Sequence, residues 1–279
     1  MSGMFMLSGQ PRPAVMGIVN VTPDSFSDGG RYVHTQDAID HGRELFAQGA
    51  TIVDVGGEST RPGAQTVPDD EERRRVLPVI EALAELGTVS IDTRKEIVAR
   101  AALQSGATIV NDVSASLGRV AAEFGAGWVA MHAQGDPATM QRAPHYIDVV
   151  DEVFRFLERC RQDAESFGIR ELYLDPGIGF GKSLHHNLEL LRHLTRFGDL
   201  GAPVLVGISR KSFLAGLSRL SRIEDPAQRG EESLAANIWA LTHGASVVRV
   251  HEVTPVVEYL RLVEAMRNAG QHAERGAMR

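Results

Sequence analysis

A carboxylate, three glycines and a lysine follow one another closely in the segment LDPGIGFGKS, residues 174–183. Such a composition is typical of phosphate-binding loops, because glycine lets the backbone approach a ligand closely. Neither common signature is complete, since a P-loop requires glycine where Pro176 stands and a dinucleotide-binding loop requires glycine where Lys182 stands. What remains is Asp175, directly after an apolar run, which favours either ligand recognition or an ordinary Asp-Pro-Gly turn.

Polar or ionisable side chains also end the other apolar runs of the chain. One group consists of acceptors that can hold the N–H groups of a flat, nitrogen-rich ring, namely Asp92, Asn111 and Asp175. A second group consists of donors that suit a phosphate or diphosphate, namely Arg61, Lys211, Arg249 and His251, with the hydroxyls of Ser59 and Thr60. Any one of these side chains could be a helix cap or an exposed loop residue. We interpret Asp54 and Asp112 as caps or supporting residues and assign them no chemistry.

Short apolar runs alternate with longer amphipathic stretches from one end of the chain to the other. The runs predict eight strands, at Ala14–Asn20, Thr51–Gly56, Val89–Asp92, Thr108–Asn111, Trp128–His132, Leu172–Asp175, Val204–Gly207 and Val247–His251. The stretches predict helices at Thr35–Ala47, Asp69–Leu86, Lys95–Leu103, Leu117–Phe124, Ile147–Phe167, Leu184–Leu194, Ala227–Leu241 and Pro255–Ala269. This alternation favours a single (β/α)8 barrel over residues 1–270, with a doubly wound open sheet as the alternative. In a barrel, the polar strand ends meet over one mouth.

The clearest helix prediction is the stretch 147–167. Its apolar residues recur at spacings of three and four, at Ile147, Val150, Phe154, Leu157 and Cys160. This stripe places Cys160 in the core. After Gly270 the sequence becomes polar, and we expect residues 271–279 to be a disordered tail.

Composition excludes several classes of protein. The chain has 279 residues, a net charge of −7 and a pI near 5.8, which gives no basic footprint for nucleic acid. One cysteine cannot form a disulfide framework or a cysteine metal cluster, and a reducing compartment suits it. No secretory signal or membrane-spanning run is evident. We therefore expect a cytoplasmic protein that binds neither nucleic acid nor membrane.

Five motifs, in this order along the chain, resemble those of the dihydropteroate synthase family. They are NVTPDSFSDGG at 20–30, DVGGESTRPG at 54–63, DPGIGFGK at 175–182, SRKS at 209–212 and RVH at 249–251. The resemblance implies a TIM barrel that condenses 6-hydroxymethyl-7,8-dihydropterin diphosphate with 4-aminobenzoate in folate biosynthesis. It also implies Mg²⁺ as cofactor, a homodimer, and inhibition by sulfonamides that mimic the aminobenzoate.

The resemblance also implies a role for each matching residue. The pterin would be held by Asp92, Asn111, Asp175 and Lys211, with Met131 and Phe180 packed near its ring. The diphosphate would be bound by Asn20, Thr60, Arg61, Arg249 and His251, and Asn20 would also bind the Mg²⁺. The aminobenzoate would be enclosed by Phe26, Thr60, Arg61, Pro62 and Ser212. Catalysis would depend chiefly on Asp92, Lys211, Arg249 and His251.

The family's reaction is dissociative, and the residue types suit that route. Pyrophosphate leaves first, so fixed cations and Mg²⁺ stabilise the charge that develops on the leaving group. The pterin methylene becomes cationic before the arylamine attacks it, so carboxylates such as Asp92 and Asp175 favour this state. No side chain has to act as a nucleophile.

Two departures from the family pattern leave alternatives open. The segment after Asp112, at 113–119, is shorter than expected, and a small Ala133 follows the fifth predicted strand. One alternative is a non-catalytic, pterin-binding paralogue. Another is a related barrel that transfers a methyl group from a methylated folate to a corrinoid protein, which would need no diphosphate subsite.

Overall fold

The computed structural model describes residues 6–7, 10–11, 13–21, 31–59, 66–135, 140–141, 143–217, 226 and 229–277. Its main feature is a closed barrel of eight parallel strands, in which the last strand pairs with the first. This closure confirms the (β/α)8 prediction and excludes the open sheet, whose edge strands would remain unpaired.

Eight strands form the barrel, and two very short strands precede it. The short pair is antiparallel, β1 (Met6–Leu7) with β2 (Gln10–Pro11). The barrel strands are β3 (Ala14–Asn20), β4 (Ile52–Gly56), β5 (Thr88–Asp92), β6 (Ile109–Asp112), β7 (Gly127–Met131), β8 (Leu172–Asp175), β9 (Val204–Gly207) and β10 (Ala245–Val250). Three of them, β3, β8 and β9, match their predicted bounds.

Helices follow the barrel strands. They are α1 (Arg31–Ala47), α2 (Asp69–Ala84), α3 (Glu96–Gln104), α4 (Gly118–Phe124), α5 (Val149–Phe167), α6 (Leu184–Arg192), a 3-10 helix (Leu194–Leu200), α7 (Ser212–Ala215), α8 (Gly230–Thr242) and α9 (Val253–Ala277). No described helix is both long and apolar enough to cross a membrane. We predicted a disordered tail from residue 271, whereas the structure continues α9 as a helix to Ala277.

Helix α5 shows how capping overrides periodicity at a helix end. Ile147 continues the apolar stripe in sequence, yet its side chain is 97% exposed. The helix begins two residues later, because the Asp148 side chain accepts a 3.0 Å hydrogen bond from Asp151 N and caps it. The rest of the stripe is core, and Cys160 is buried as predicted.

The inward faces of the strands change from apolar to polar along the barrel. The interior is filled by one apolar cluster, Met16, Ile52, Ile109, Val129, Leu205 and Val247. Because side chains alternate across a strand, the next inward positions towards the carboxyl ends include Asp54, Asn111 and Arg249. A second, larger apolar cluster lies between the strands and the helices. The polar side chains therefore lie at the carboxyl ends of the strands, directly above the apolar interior of the barrel.

Candidate active site

Three polar side chains and one glycine lie in a row across four neighbouring strands at the mouth. Asn20 of β3 pairs in register with Gly56 of β4, Gly56 with Asp92 of β5, and Asp92 with Asn111 of β6. Register partners on parallel strands point to the same face, so these side chains share one cavity. The structure thus brings together three residues that the sequence placed in the site.

A mostly buried cation joins Asp92 of this row to a second carboxylate, Asp54. Arg249 of β10 donates from Nε to Asp54 Oδ2 at 2.6 Å and from Nη2 to Asp92 Oδ2 at 2.7 Å. The sequence argument required an anionic partner for Arg249, and the protein itself supplies two. A diphosphate is therefore not needed to explain why a cation is buried here. The role of Arg249 towards that group stays a prediction.

Asp54, which the sequence analysis interpreted as a cap or a supporting residue, supports two residues of the site. It is fully buried, and its Oδ2 also accepts a 2.9 Å hydrogen bond from Asn111 Nδ2. Asp54 therefore orients both Arg249 and Asn111. Among the described residues its other oxygen, Oδ1, has no hydrogen-bond partner. The signal that could have identified it is strand alternation, since it lies two residues before Gly56 on the same inward face.

Asp175 ends β8 and begins the glycine-rich loop. It is 4% exposed, and its Oδ1 accepts a 2.7 Å hydrogen bond from Gly177 N. Gly177 has φ of 67°, and a Cβ there would collide with the His132 carbonyl, so only glycine fits. The turn geometry suggested by the sequence is therefore real. It directs one carboxylate oxygen to its own loop and leaves Oδ2 for other partners.

Two carboxyl groups at the mouth, those of Asp175 and Asp92, have raised pKa values. Burial raises the pKa of Asp175 to about 6, although Gly177 N–H and the charges of Lys211, Lys182 and Arg249 oppose the shift. Burial also raises the pKa of Asp92, against the opposing charge of Arg249. Shifted carboxylates in a cleft are typical of functional sites.

Lys211 and Phe180 meet at the edge of the mouth. The Lys211 Nζ lies 3.8 Å from the centroid of the Phe180 ring, a cation–π contact. Its charge also acts on the pKa values of Asp92 and Asp175. Met131 ends β7 in register with Asp175 and is buried. The predicted pterin set is therefore one spatial cluster.

His251 lies just beyond β10, beside the loop that carries Lys211. Its Nδ1 lies 3.1 Å from Ser209 Oγ, and its backbone N donates to the same oxygen at 3.3 Å. Arg210 has φ of 59°, and its Nη2 donates to Glu252 at 2.9 Å. Ser212 begins α7 and is exposed.

Other predicted residues lie at the borders of the site or outside the description. Phe26, Thr60, Arg61 and Pro62 fall in segments 22–30 and 60–65, outside the described residues. Asp112 faces away from the mouth and supports the loop before α4, accepting hydrogen bonds from Leu117 N at 2.6 Å and Trp128 Nε1 at 3.2 Å. It is a supporting residue rather than a helix cap, because the N-cap of α4 is Leu117 and no side chain caps that helix.

Asn20 is the one predicted metal ligand. Within the described part of the chain its side chain makes no recorded hydrogen bond, and no group of three or more His, Cys, Asp or Glu side chains could hold a metal ion. Mg²⁺ in phosphate chemistry commonly takes only one or two protein ligands and completes its shell with water and substrate oxygens. A single amide oxygen at Asn20 suits a Mg²⁺ ion that is bound mainly by substrate and water. It does not suit a metal site whose ligands all come from the protein.

Comparisons with known proteins point in one direction. A family model described as pterin binding enzyme matches residues 16–251. The dihydropteroate synthase of Escherichia coli K12 is 46% identical over 269 residues, which cover 93% of this chain and 94% of that protein. The dihydropteroate synthase of Xanthomonas albilineans, solved with 4-aminobenzoic acid, has 46% identity and a TM-score of 0.84, covering 94% of this chain and 97% of that one. The Yersinia pestis dihydropteroate synthase, solved with a sulfonamide drug, has 42% identity and a TM-score of 0.85, covering 95% of this chain and 96% of that one.

Proposed function

This chain belongs to the dihydropteroate synthase family of pterin-binding enzymes, and from that premise we infer the reaction that it catalyses. It condenses 6-hydroxymethyl-7,8-dihydropterin diphosphate with 4-aminobenzoate, forming 7,8-dihydropteroate and pyrophosphate in folate biosynthesis. The match to the Escherichia coli enzyme covers nearly the whole of both chains, which supports transfer of the whole activity.

The acceptor side of the mouth suits the pterin. Asp92, Asn111 and Asp175 supply carboxylate and amide oxygens for the amino and ring N–H groups of the pterin. Asp175 Oδ2 is well suited to this role, because Oδ1 is already engaged by Gly177 N. Phe180 and Met131 would pack near the ring, with Lys211 beside Phe180.

The donor side suits the diphosphate. Arg249 and His251 are the donor side chains at the end of β10, and Asn20 would contribute an oxygen to a Mg²⁺ ion bound with the substrate. That ion would neutralise charge on the departing pyrophosphate. Arg249 would have to share its guanidinium between the diphosphate and the carboxylates of Asp54 and Asp92. Because one guanidinium would contact both groups, departure of the pyrophosphate would change the electrostatic field that Arg249, Asp54 and Asp92 exert on the pterin.

The aminobenzoate side rests on the family alone. Ser212 is exposed beside the mouth, and Phe26, Thr60, Arg61 and Pro62 are proposed from their motifs. The relative from Xanthomonas albilineans binds 4-aminobenzoic acid, and the one from Yersinia pestis binds a sulfonamide. We therefore expect a sulfonamide to compete with 4-aminobenzoate for this chain.

Two further assignments stay predictions. The homodimer prediction has a candidate surface in α8, where Trp239 is exposed and stacks on His243 at 3.8 Å between ring centroids. Leu260, the other residue considered for such a face, is buried in the core. Sedimentation of the purified protein would decide between monomer and dimer.

A cytoplasmic location would be tested by fractionation of the source cells.

The observation that carries the proposal is the cluster of Asp92, Asn111, Asp175 and Lys211 at the mouth of a pterin-family barrel. We expect Asp175→Asn and Lys211→Met each to lower kcat/KM for dihydropteroate formation by roughly 100-fold to 1000-fold, or about 3 to 4 kcal/mol. Asp40→Asn, an exposed aspartate on α1, is the matched control and should leave the rate unchanged. Full turnover by both site variants would refute the residue assignments.

The pKa of Asp175 allows a second test, the pH dependence of pterin binding. Because that pKa is raised to about 6, the carboxylate gains a proton as the pH falls through this value. Pterin affinity of the parent protein should therefore fall below about pH 6, and calorimetry of pterin binding would measure it. Asp175→Asn should bind weakly at every pH, without this transition.

A further inference from the structure

Lys182 is the lysine of the incomplete phosphate loop, and the structure encloses it. Its side chain is 3% exposed, and Nζ lies within hydrogen-bonding distance of four acceptors. It donates to Gly177 O at 2.9 Å, Phe180 O at 3.0 Å and His132 O at 3.2 Å, and it lies 2.9 Å from His132 Nδ1. An ammonium group has only donors, so His132 must accept through Nδ1.

These four acceptors belong to two different parts of the mouth. Gly177 and Phe180 lie in the loop after β8, between Asp175 and the Phe180 ring, whereas His132 follows β7. The backbones are in close contact, because a Cβ at Gly177 would collide with His132 O and one at Gly181 with Gln134 O. Lys182 therefore joins the loop that carries two proposed pterin contacts to the neighbouring strand end.

The charge of Lys182 is not neutralised by its hydrogen-bond partners. Three are carbonyls, and burial lowers the pKa of the fourth, the His132 imidazole, to about 3, so this ring is neutral. Burial lowers the pKa of Lys182 itself to about 7, while the charge of Asp175 opposes and that of Lys211 adds to the shift. Asp175 is thus the anion that the Lys182 charge acts on.

We propose that Lys182 is a positioning residue of the pterin subsite. It ties the Asp175–Phe180 loop to the end of β7 and holds its ammonium group beside Gly177, the residue whose N–H binds Asp175 Oδ1. This inference rests on the proposed function. It assigns Lys182 no contact with substrate, since the acceptors enclose its ammonium group. Three cations on three elements face Asp175: Lys182 on its own loop, Lys211 after β9 and Arg249 on β10.

A hydrogen bond from an uncharged side chain to the same loop provides the matched control. Tyr146 Oη donates to Gly181 O at 2.9 Å and, like Lys182, holds a buried loop carbonyl. Tyr146→Phe removes that hydrogen bond without changing any charge. Lys182→Met keeps the length and apolar stem of the side chain but removes both the donors and the charge.

The test is calorimetric titration of both variants and the parent with the pterin diphosphate substrate, from about pH 5 to about pH 9. Lys182→Met should weaken pterin binding about tenfold or more, because Asp175 loses a neighbouring cation. The pH below which binding falls should move upward in that variant. Its KM for 4-aminobenzoate should stay within about twofold of the parent. Tyr146→Phe should change pterin affinity less than about threefold and leave the pH transition in place.

Two results would overturn the inference while leaving the function intact. One is parent-like affinity and pH dependence in Lys182→Met. The other is an equal loss in both variants without a shift of the transition, which would make Lys182 a structural tie only. If Lys182→Met does not fold, Lys182→Gln, which keeps a donor but no charge, is measured against the same expectations. A parent protein that binds no pterin would instead overturn the proposed function together with this inference.

Discussion

Two buried lysines at the mouth of the barrel, Lys95 and Lys182, have opposite surroundings. Lys95 follows β5 and is 14% exposed, and its Nζ lies 2.7 Å from Glu58 Oε2 and 2.6 Å from Glu72 Oε2. Lys182 follows β8, and among the described residues its acceptors within hydrogen-bonding distance are carbonyl groups and an imidazole. The two lysines are both mostly buried, but only Lys95 has carboxylates as direct partners.

The difference shows that carboxylate partners can outweigh the effect of burial on the pKa of a lysine. Burial lowers the pKa of Lys95, but the hydrogen bonds that it donates to Glu58 and Glu72, with their charges, outweigh this effect and the net shift of the pKa is upward. For Lys182 burial is the largest effect and the pKa falls to about 7. Carbonyl oxygens satisfy the donors of an ammonium group without neutralising its charge.

The two environments also suit different tasks. Glu58 bonds to Lys95 and accepts a 2.8 Å hydrogen bond from Val67 N, so it connects the two described ends of the loop after β4. Lys95 thereby holds this loop to β5 and α2 as a balanced ion-pair network. Below about pH 7 Lys182 carries a charge that its hydrogen-bond acceptors do not neutralise, and this charge can act on Asp175.

The largest effect is expected when the balanced network is broken. Lys95→Met leaves Glu58 and Glu72 facing each other, and Glu72 is only 1% exposed. Removing one partner of a buried ion pair leaves an uncompensated buried charge, so we expect the free energy of unfolding to fall by about 3 to 5 kcal/mol. Urea unfolding at neutral pH measures this. A loss no larger than that of Lys182→Met would contradict the comparison.

A smaller but more specific effect is expected for Lys182→Met, about 1 to 3 kcal/mol at neutral pH, because carbonyl acceptors lose their donor while a desolvated charge is also removed. The pKa of Lys182 is lowered from 10.5 to about 7, so its contribution to stability is present above the unfolded value and lost as the pH falls through about 7. The parent should therefore gain stability over Lys182→Met as the pH rises from about 7 to about 10.

Lys95→Met provides the control for this pH profile. The pKa of Lys95 is raised above 10.5, so its contribution is fully present below that value and is lost only as the pH rises through the raised pKa. The stability difference between parent and Lys95→Met should therefore be flat over the same pH interval. Urea unfolding of both variants at several pH values measures the two slopes. Parallel profiles would show that the lysines do not differ as proposed.

The smallest effect is expected for an exposed pair of the same chemistry. Arg43 contacts Asp40 at 3.1 Å on α1, with side-chain exposures of 53% and 59%. Water screens this pair, so Arg43→Met should change the free energy of unfolding by less than about 0.5 kcal/mol in the same assay. A larger loss would mean that exposure is a poor guide to the value of ion pairs in this protein.

The elements of the barrel were largely predictable, because continuous apolar runs and helical periodicity are local signals. Errors lie at element ends, where single contacts decide. Ile147 fits the stripe of α5, but the cap at Asp148 starts the helix after it. The end of α9 was also missed, since polar composition after Gly270 suggested disorder and the structure has helix to Ala277.

The sequence by itself determined the barrel and the polar strand ends, Asn20, Asp92, Asn111, Asp175 and Arg249, because alternation and chain order place such residues at one mouth. Only the tertiary structure decided their partners. Asp54 and Arg249 are 195 residues apart in sequence, and their ion pair exists because barrel closure brings β4 and β10 to the same cavity. The same holds for Lys182, whose partner His132 lies 50 residues earlier in the chain. Burial and partner charge together set the protonation of such a group, and the fold decides both.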